Sequence, residues 1–278
     1  MAQRTISIMG CGWLGLPLGR HLVTEGYAVN GSTTSPDKRA TLEAAGITPY
    51  LLTLSPTLSG DNADDFFAAD VLFLNVPPPR GHDDLHAYHL RQIESVRDAA
   101  VAGSIDWVLF ASSTGVYPRV DQVVTEDDEP EAREGSLRPS GAALRDAEQL
   151  LRDEPAFDTT VIRFAGLYGG DRDPGRFLAG RERVPGGDAP VNLIHQDDCI
   201  GLVRAILEQD VRGEVFNACA DEHPTRRALY TAAARRLGME PPTFEEGGVN
   251  KIVSNAKAKR VLGYTLQHPN PVEGPSGV

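Results

Sequence analysis

Gly10, Gly12 and Gly15 stand in the spacing G-x-G-x-x-G, between the β-type run Ile6-Ser7-Ile8-Met9 and a helical run that begins near Leu14. In a dinucleotide loop each glycine has its own task. The first permits the tight turn, the second lets the main chain approach a pyrophosphate, and the third lets the helix pack closely on the strand. The start of the helix then offers N–H groups to phosphate oxygens. Cys11, Trp13 and Leu14 fill the loop between the glycines, and Pro17 is tolerated because the first helical N–H groups have no intrahelical acceptor. A thiol near a helix N-terminus can be acidified, so Cys11 has two readings, a redox group or a small spacer; the spacer is preferred.

In an NAD-preferring unit a carboxylate about 20 residues after the glycines bonds the ribose 2′-OH. Here the second strand, Tyr27 to Ser32, ends in Ser32-Thr33-Thr34-Ser35 with Lys38 and Arg39 after it, and no carboxylate stands ready to repel a 2′-phosphate. NADP is therefore expected over NAD, with Ser32, Thr33, Thr34, Lys38 and Arg39 as contacts. The alternative is that Ser35 simply caps a helix starting at Pro36. Asn75, Val76 and Pro77 leave the carboxyl end of another apolar run, where open α/β sheets bind ligands; they either flank the cofactor or form a stiff turn.

Two further groups of residues carry chemical potential. Arg172, Arg176 and Arg181 lie in the long Gly- and Pro-rich stretch from Gly169 to Pro190. Arginine suits bidentate recognition of phosphate or carboxylate, so the three point to an anionic small-molecule substrate, or else they pair with Asp171 and Asp173 on the surface. His82, Asp83, Asp84, His86 and His89 are dense in metal-ligand types but fall on a polar loop and the start of a helix. They read as a solvated face, and no metal is expected.

The elements that must place these groups alternate between strand and helix. Leu14 to Thr24 has helical spacing and closes at Gly26. Ile47 to Leu54 and Val71 to Val76 read as the third and fourth strands, and Trp107 to Phe110 as the fifth; the continuous apolar runs suit a parallel sheet buried on both faces. The chain has 278 residues, 41% hydrophobic and 24% charged, with a formal net charge of −12. That charge disfavours nucleic-acid and anionic-membrane partners. No run approaches the length of a membrane span, no signal peptide is evident, and the expected location is cytoplasmic. Three cysteines without a CxxC spacing suggest neither a disulfide framework nor a zinc site.

The fifth strand delivers Ala111-Ser112-Ser113-Thr114-Gly115-Val116-Tyr117. Strand-S-S-x-x-V-Y resembles the extended short-chain dehydrogenases, the NAD-dependent epimerase/dehydratase family. The resemblance continues through Val161 to Gly170, Val191 to Asp198, Gly213 to Asn217 and Ala256 to Tyr264, so it covers nearly the whole chain in order. Within the family the chain is most similar to an atypical bacterial subgroup with the GWLG loop seen at Gly12 to Gly15. It implies an α/β fold, a Rossmann doubly wound parallel sheet with a smaller C-terminal substrate lobe. Residues 1–165 would form the dinucleotide-binding domain and 166–278 the substrate-binding lobe, interleaved with that sheet. It further implies Ser113 in the place of the family's catalytic Ser or Thr, a nucleotide-sugar-type substrate, and a homodimer through helices at roughly Asp84 to Ala102 and Leu137 to Leu151; Ser113 and Thr114 can both hydrogen-bond a substrate oxygen.

One departure bears on the chemistry. The family carries Y-x-x-x-K on the helix after the serine strand, where the lysine lowers the tyrosine's pKa for proton exchange. In the matching frame, with Glu148 in place, Ser140 stands for the tyrosine and Leu144 for the lysine. Tyr117, Tyr168 and His195 are the candidate substitutes as proton donor. The bland readings are that Tyr117 packs beside the cofactor, Tyr168 begins the substrate loop, and His195 orients the helix capped by Asp197 or Asp198. Two functions stay open: an NAD(P)-dependent oxidoreductase or epimerase acting on a carbonyl or hydroxyl, and a catalytically impaired NADP-binding redox sensor. The glycine loop and Val71 to Pro78 also resemble 6-phosphogluconate-dehydrogenase-like reductases, against which the serine strand argues.

Overall fold

The computed structural model describes residues 4–79, 81–128 and 137–273. In chain order its elements begin β1 (Thr5–Met9), α1 (Gly15–Thr24), β2 (Ala28–Thr33), α2 (Arg39–Ala44), β3 (Thr48–Leu54), β4 (Leu58–Gly60) and α3 (Ala63–Phe67). There follow β5 (Val71–Leu74), α4 (Leu85–Ala102), β6 (Trp107–Ser113), β7 (Val123–Val124), α5 (Pro139–Arg152), β8 (Asp158–Phe164), β9 (Gly166–Tyr168) and α6 (Gly175–Leu178). The chain ends with β10 (Leu193–His195), α7 (Gln196–Gln209), β11 (Val215–Ala218), α8 (Arg226–Arg236), β12 (Ile252–Val253) and α9 (Ala256–Leu262).

Eight strands form one sheet in the order β11-β8-β6-β5-β1-β2-β3-β4. β1 pairs in parallel with β2 on one side and β5 on the other, and the parallel pairing extends to β3 and β6. This is the doubly wound Rossmann arrangement that the family resemblance implies. Strand order reverses at β1, so the segments leaving β1, β2 and β5 meet at the switch point where such sheets bind ligands. All of β5 is buried, as are Ile6 and Ile8 of β1 and Trp107 to Phe110 of β6. Parallel strands covered on both faces require that composition.

The structure departs from the sequence reading in small ways. β4 is an additional strand, antiparallel to β3 through Leu52–Gly60 and Leu54–Leu58; three residues are too few to show a period. β5 stops at Leu74, before Asn75 to Pro79. Ser35 makes no side-chain cap, and Pro36–Lys38 is a single 3-10 turn. The hydroxyl of Thr33 instead accepts the Ser35 N–H at 3.1 Å. The stretch after Gly169 contains the short helix α6.

The chain forms two compact units. The first comprises Met1–Val116, Leu137–Ile162 and Asp210–Val215, and the second Tyr117–Ser136, Arg163–Gln209 and Phe216–Val278. In the second unit β9 pairs in parallel with β10, and β7 with β12. Asp198 near the start of α7 is fully buried, and its carboxylate accepts the Tyr264 hydroxyl and the main-chain N–H groups of Gln267 and His268. That pins the segment after α9 as far as His268; residues 274–278 lie outside the described residues. Among the described residues no helix is long and apolar enough to cross a membrane.

Candidate dinucleotide site

The glycine loop is held from two sides within the first unit. The Gly10 N–H donates to Ser32 Oγ at 2.9 Å and the Cys11 N–H to the Ser32 carbonyl at 3.1 Å. Asn75 Nδ2 donates to the Gly10 carbonyl at 3.2 Å. Gly10 has φ +103°, and a Cβ there would collide with the Asn75 carbonyl; one on Gly15 would collide with the Gly10 carbonyl. A Cβ on Gly12 would meet nothing within 4 Å. The first and third glycines thus permit close packing, while the second faces open space, which is the division of labour a pyrophosphate loop requires.

Beside this loop lies a cavity of about 310 Å³ lined by Met9, Gly10, Cys11, Gly12, Ser32, Thr33, Thr34, Lys38, Leu52, Leu54, Leu58, Val76 and Gln92. This volume is at the lower end for small-molecule sites. The sequence-chosen residues Gly10, Cys11, Gly12, Ser32, Thr33, Thr34, Lys38 and Val76 therefore come together. Trp13, Leu14 and Gly15 lead into α1, and Arg39 opens α2 on the surface. Asn75 meets the loop's main chain, and Pro77 continues the segment beyond Val76. No carboxylate lines the cavity among the described residues. Leu52, Leu54, Leu58 and Gln92 escaped the sequence reading because the β3–β4 hairpin and the inward face of α4 bring them there, and no motif marks either. Cys11 is a spacer in its surroundings: its thiol packs toward Gly31 and lies 3.7 Å from the Ile8 carbonyl, and burial pushes its pKa up to about 12.

At the end of β6, Ser113 Oγ accepts the Gly115 N–H at 3.1 Å, which leaves the hydroxyl proton available for donation. Thr114 beside it is buried. α5 is drawn against this corner by a buried Ser112–Glu148 hydrogen bond and by Gly141, where a Cβ would strike the Gly115 carbonyl. On that helix Ser140 is exposed and Leu144 buried. The histidines ahead of α5 diverge. His82 stacks on Tyr88, His86 pairs with Asp146 at 2.7 Å, and His89 is buried against Gln92.

The second unit holds the three ring candidates. The Tyr117 hydroxyl donates to Asn217 Oδ1 at 2.9 Å and accepts from Arg163 at 2.8 Å; burial raises its pKa although the guanidinium opposes this. Tyr168 packs with Leu193 and Leu229, and burial, then the Asp198 charge, raises its pKa strongly. His195 is nearly enclosed, its Nδ1 accepting the Asp197 N–H at 3.2 Å, so its proton resides on Nε2, beside Gly169. Burial and the stacked ring of His268 lower its pKa. His195, Asp197 and His268 offer donor atoms within 4.8 Å of one another, yet Nδ1 of His195 is committed to the main chain and His268 to the Asp197 carboxylate. Arg172 forms a main-chain bridge with Gly169. Arg176 and Arg181 are exposed and pair with no carboxylate among the described residues, whereas Glu245 holds Arg183 and Asp173 meets Arg236.

No protein-family model matches the chain. Its fold is similar to that of UDP-glucuronic acid 4-epimerase from Bacillus cereus in complex with NAD, with TM-score 0.79 and 18% identity over 97% of this chain and 95% of that one. It is also similar to a conserved protein of unknown function from Silicibacter pomeroyi DSS, with TM-score 0.75 and 26% identity over 98% and 96% of the two chains. Protein YeeZ of Escherichia coli strain K12 is 35% identical over 279 residues, spanning 98% of this chain and 99% of that protein. With that identity over essentially its whole length, the chain belongs to the family of Protein YeeZ.

Proposed function

We propose that the protein binds NADP, with NAD as the alternative, and acts as an oxidoreductase or epimerase on a carbonyl or hydroxyl of an anionic, nucleotide-sugar-type substrate. The observation that carries this reading is the clamped glycine loop beside a cavity lined by Thr33, Thr34 and Lys38 and, among the described residues, by no carboxylate. The residues fit a dinucleotide: Gly12 is open, and the hydroxyls at the end of β2 with the Lys38 ammonium in the turn after it suit a 2′-phosphate. NAD in the solved epimerase complex supports the cofactor class. When bound, the nicotinamide supplies hydride chemistry.

On this reading residues 1–165 hold the cofactor and 166–278 the substrate. Ser113 polarises the substrate oxygen with the hydroxyl proton that Gly115 leaves free, and Thr114 supports it. Arg172, Arg176 and Arg181 receive the anionic group, for which the exposed side chains of Arg176 and Arg181, paired with no carboxylate among the described residues, speak. Ser140 and Leu144 occupy the positions of the family's tyrosine and lysine, so the chain belongs to an atypical subgroup without that pair. Of the substitutes, Tyr117 and Tyr168 are pushed away from the near-neutral range that favours proton transfer. His195 stays the third candidate. A second copy docked on α4 and α5 completes a homodimer.

The buried Leu144 favours a second reading, an NADP-binding redox sensor. The deciding experiment titrates the protein with NADPH and NADH, then follows absorbance at the nicotinamide band with UDP-sugars and small carbonyls. Hydride transfer that Ser113→Ala abolishes supports the enzyme. Tight cofactor binding with no turnover of any substrate supports the sensor, and binding of neither dinucleotide removes both.

A further inference from the structure

We infer that Gln92 reads the polar edge of the dinucleotide's adenine base, with its amide held in one orientation by His89 and the Leu54 carbonyl. The inference rests on the dinucleotide reading above. Gln92 lies on α4, is 6% exposed and lines the cavity together with Leu52, Leu54 and Leu58. The side-chain atom 2.8 Å from the Leu54 carbonyl must be Nε2, because a carbonyl oxygen only accepts. Oε1 then faces His89 Nδ1 at 3.2 Å, and that ring nitrogen must carry the proton. His89 is fully buried and its Nε2 has no hydrogen-bond partner among the described residues, so the ring is a neutral donor with one tautomer available. The amide cannot flip without placing oxygen against oxygen.

With these two bonds made, the Gln92 amide retains one N–H and one oxygen lone pair. Gln92 lines a cavity whose wall from β3 and β4 is leucine, a poor environment for unused polar groups. The hairpin itself is tied to the same helix, since the Leu58 N–H donates to Ser95 Oγ at 2.9 Å. An apolar wall carrying one fixed amide suits a flat heteroaromatic ring that offers a donor and an acceptor side by side. Adenine presents that pattern through N6–H and a neighbouring ring nitrogen, the pairing that glutamine makes with adenine in nucleic-acid recognition. Hypoxanthine replaces the N6 donor with a carbonyl oxygen.

The test compares equilibrium binding of NADPH with that of its hypoxanthine analogue, read by nicotinamide fluorescence. The unaltered protein is expected to prefer the adenine form by roughly tenfold or more, the discrimination typical of one bidentate pair. Gln92→Leu should lose that preference, by weakening NADPH and not the analogue. His89→Leu, which removes the donor that holds Oε1 and leaves only the Leu54 carbonyl to orient the amide, should reduce it. Should a variant fail to fold, the comparison on the unaltered protein decides alone. Equal affinity for the two dinucleotides overturns the role of Gln92 and leaves the dinucleotide site standing, whereas binding of neither overturns both.

Discussion

Asn75 and Gly10 lock together: the Asn75 amide donates to the Gly10 carbonyl at 3.2 Å, while the Asn75 carbonyl occupies the space a Gly10 side chain would need. Gly10 is therefore constrained twice, by its φ of +103° and by this packing. Gly10→Ala is expected to cost on the order of 1–3 kcal/mol from backbone strain, before the clash is relaxed. It should lower Tm and abolish dinucleotide binding together. Asn75→Ala leaves Gly10 its conformation but removes the donor on one side, so affinity should fall with a smaller loss of Tm. If Asn75→Ala binds NADPH as tightly as the parent, the clamp does not serve the loop.

The buried Ser112–Glu148 hydrogen bond fastens α5 to the end of β6. Glu148→Ala strands a buried hydroxyl, at a cost of about 1–3 kcal/mol, and Glu148→Gln, which keeps an acceptor, should cost less. Urea unfolding of the two variants measures the difference. Equal losses would mean that volume, not the hydrogen bond, sets the contribution of Glu148.

Asp198 accepts three hydrogen bonds from the segment Tyr264 to His268. Asp198→Ala should destabilise the second unit by about 3 kcal/mol, given the strength of hydrogen bonds to charged acceptors. Limited proteolysis should then cleave after Leu262 first. Unchanged protection of that segment would show that the Tyr264 side chain, packed over Gly201, holds it without the carboxylate.

The sheet was legible because β1, β5 and β6 must be apolar on both faces and the glycine loop has a spacing that few other corners need. Ser32, Thr33, Thr34 and Lys38 could be placed beside it because parallel pairing in β1–β2 puts the ends of these strands together. Gln92 could not be foreseen in this way. Its position depends on the pitch of α4 over a hairpin whose second strand has three residues, and one glutamine on a polar helix looks like any other. The fates of Tyr117 and Tyr168 were also hidden, since Arg163, Asn217, Leu193 and Leu229 reach them only through long-range packing.

His89, His195 and His223 all have pKa values lowered, in each case chiefly by burial. The unfolded chain therefore binds protons that the folded chain resists, and stability rises with pH across the window below the ordinary histidine value of about 6.5. Above that value the three contribute no pH dependence. Tm should be flat from neutral to mildly alkaline pH with respect to these groups and decline as pH falls below about 6.5. His89→Leu should shallow that decline. A decline of unchanged steepness in this variant would assign the effect to the other histidines or to carboxylates.

Lys38 is the cation that lines the cavity, exposed beside Thr33 and Thr34. A 2′-phosphate there would gain from the ammonium at an exposed site, where salt screens the attraction over about 10 Å at 0.1 M. Lys38→Ala should thus weaken NADPH by roughly tenfold at low ionic strength, the scale of one charge-assisted hydrogen bond. NADH, which lacks the phosphate, should be unaffected, and the difference should shrink as salt is added. Isothermal titration at two ionic strengths with both dinucleotides separates the contributions. An equal loss for NADH would place Lys38 on the pyrophosphate or in the fold of the β2–α2 corner. No loss for either would remove the basis for preferring the phosphorylated cofactor.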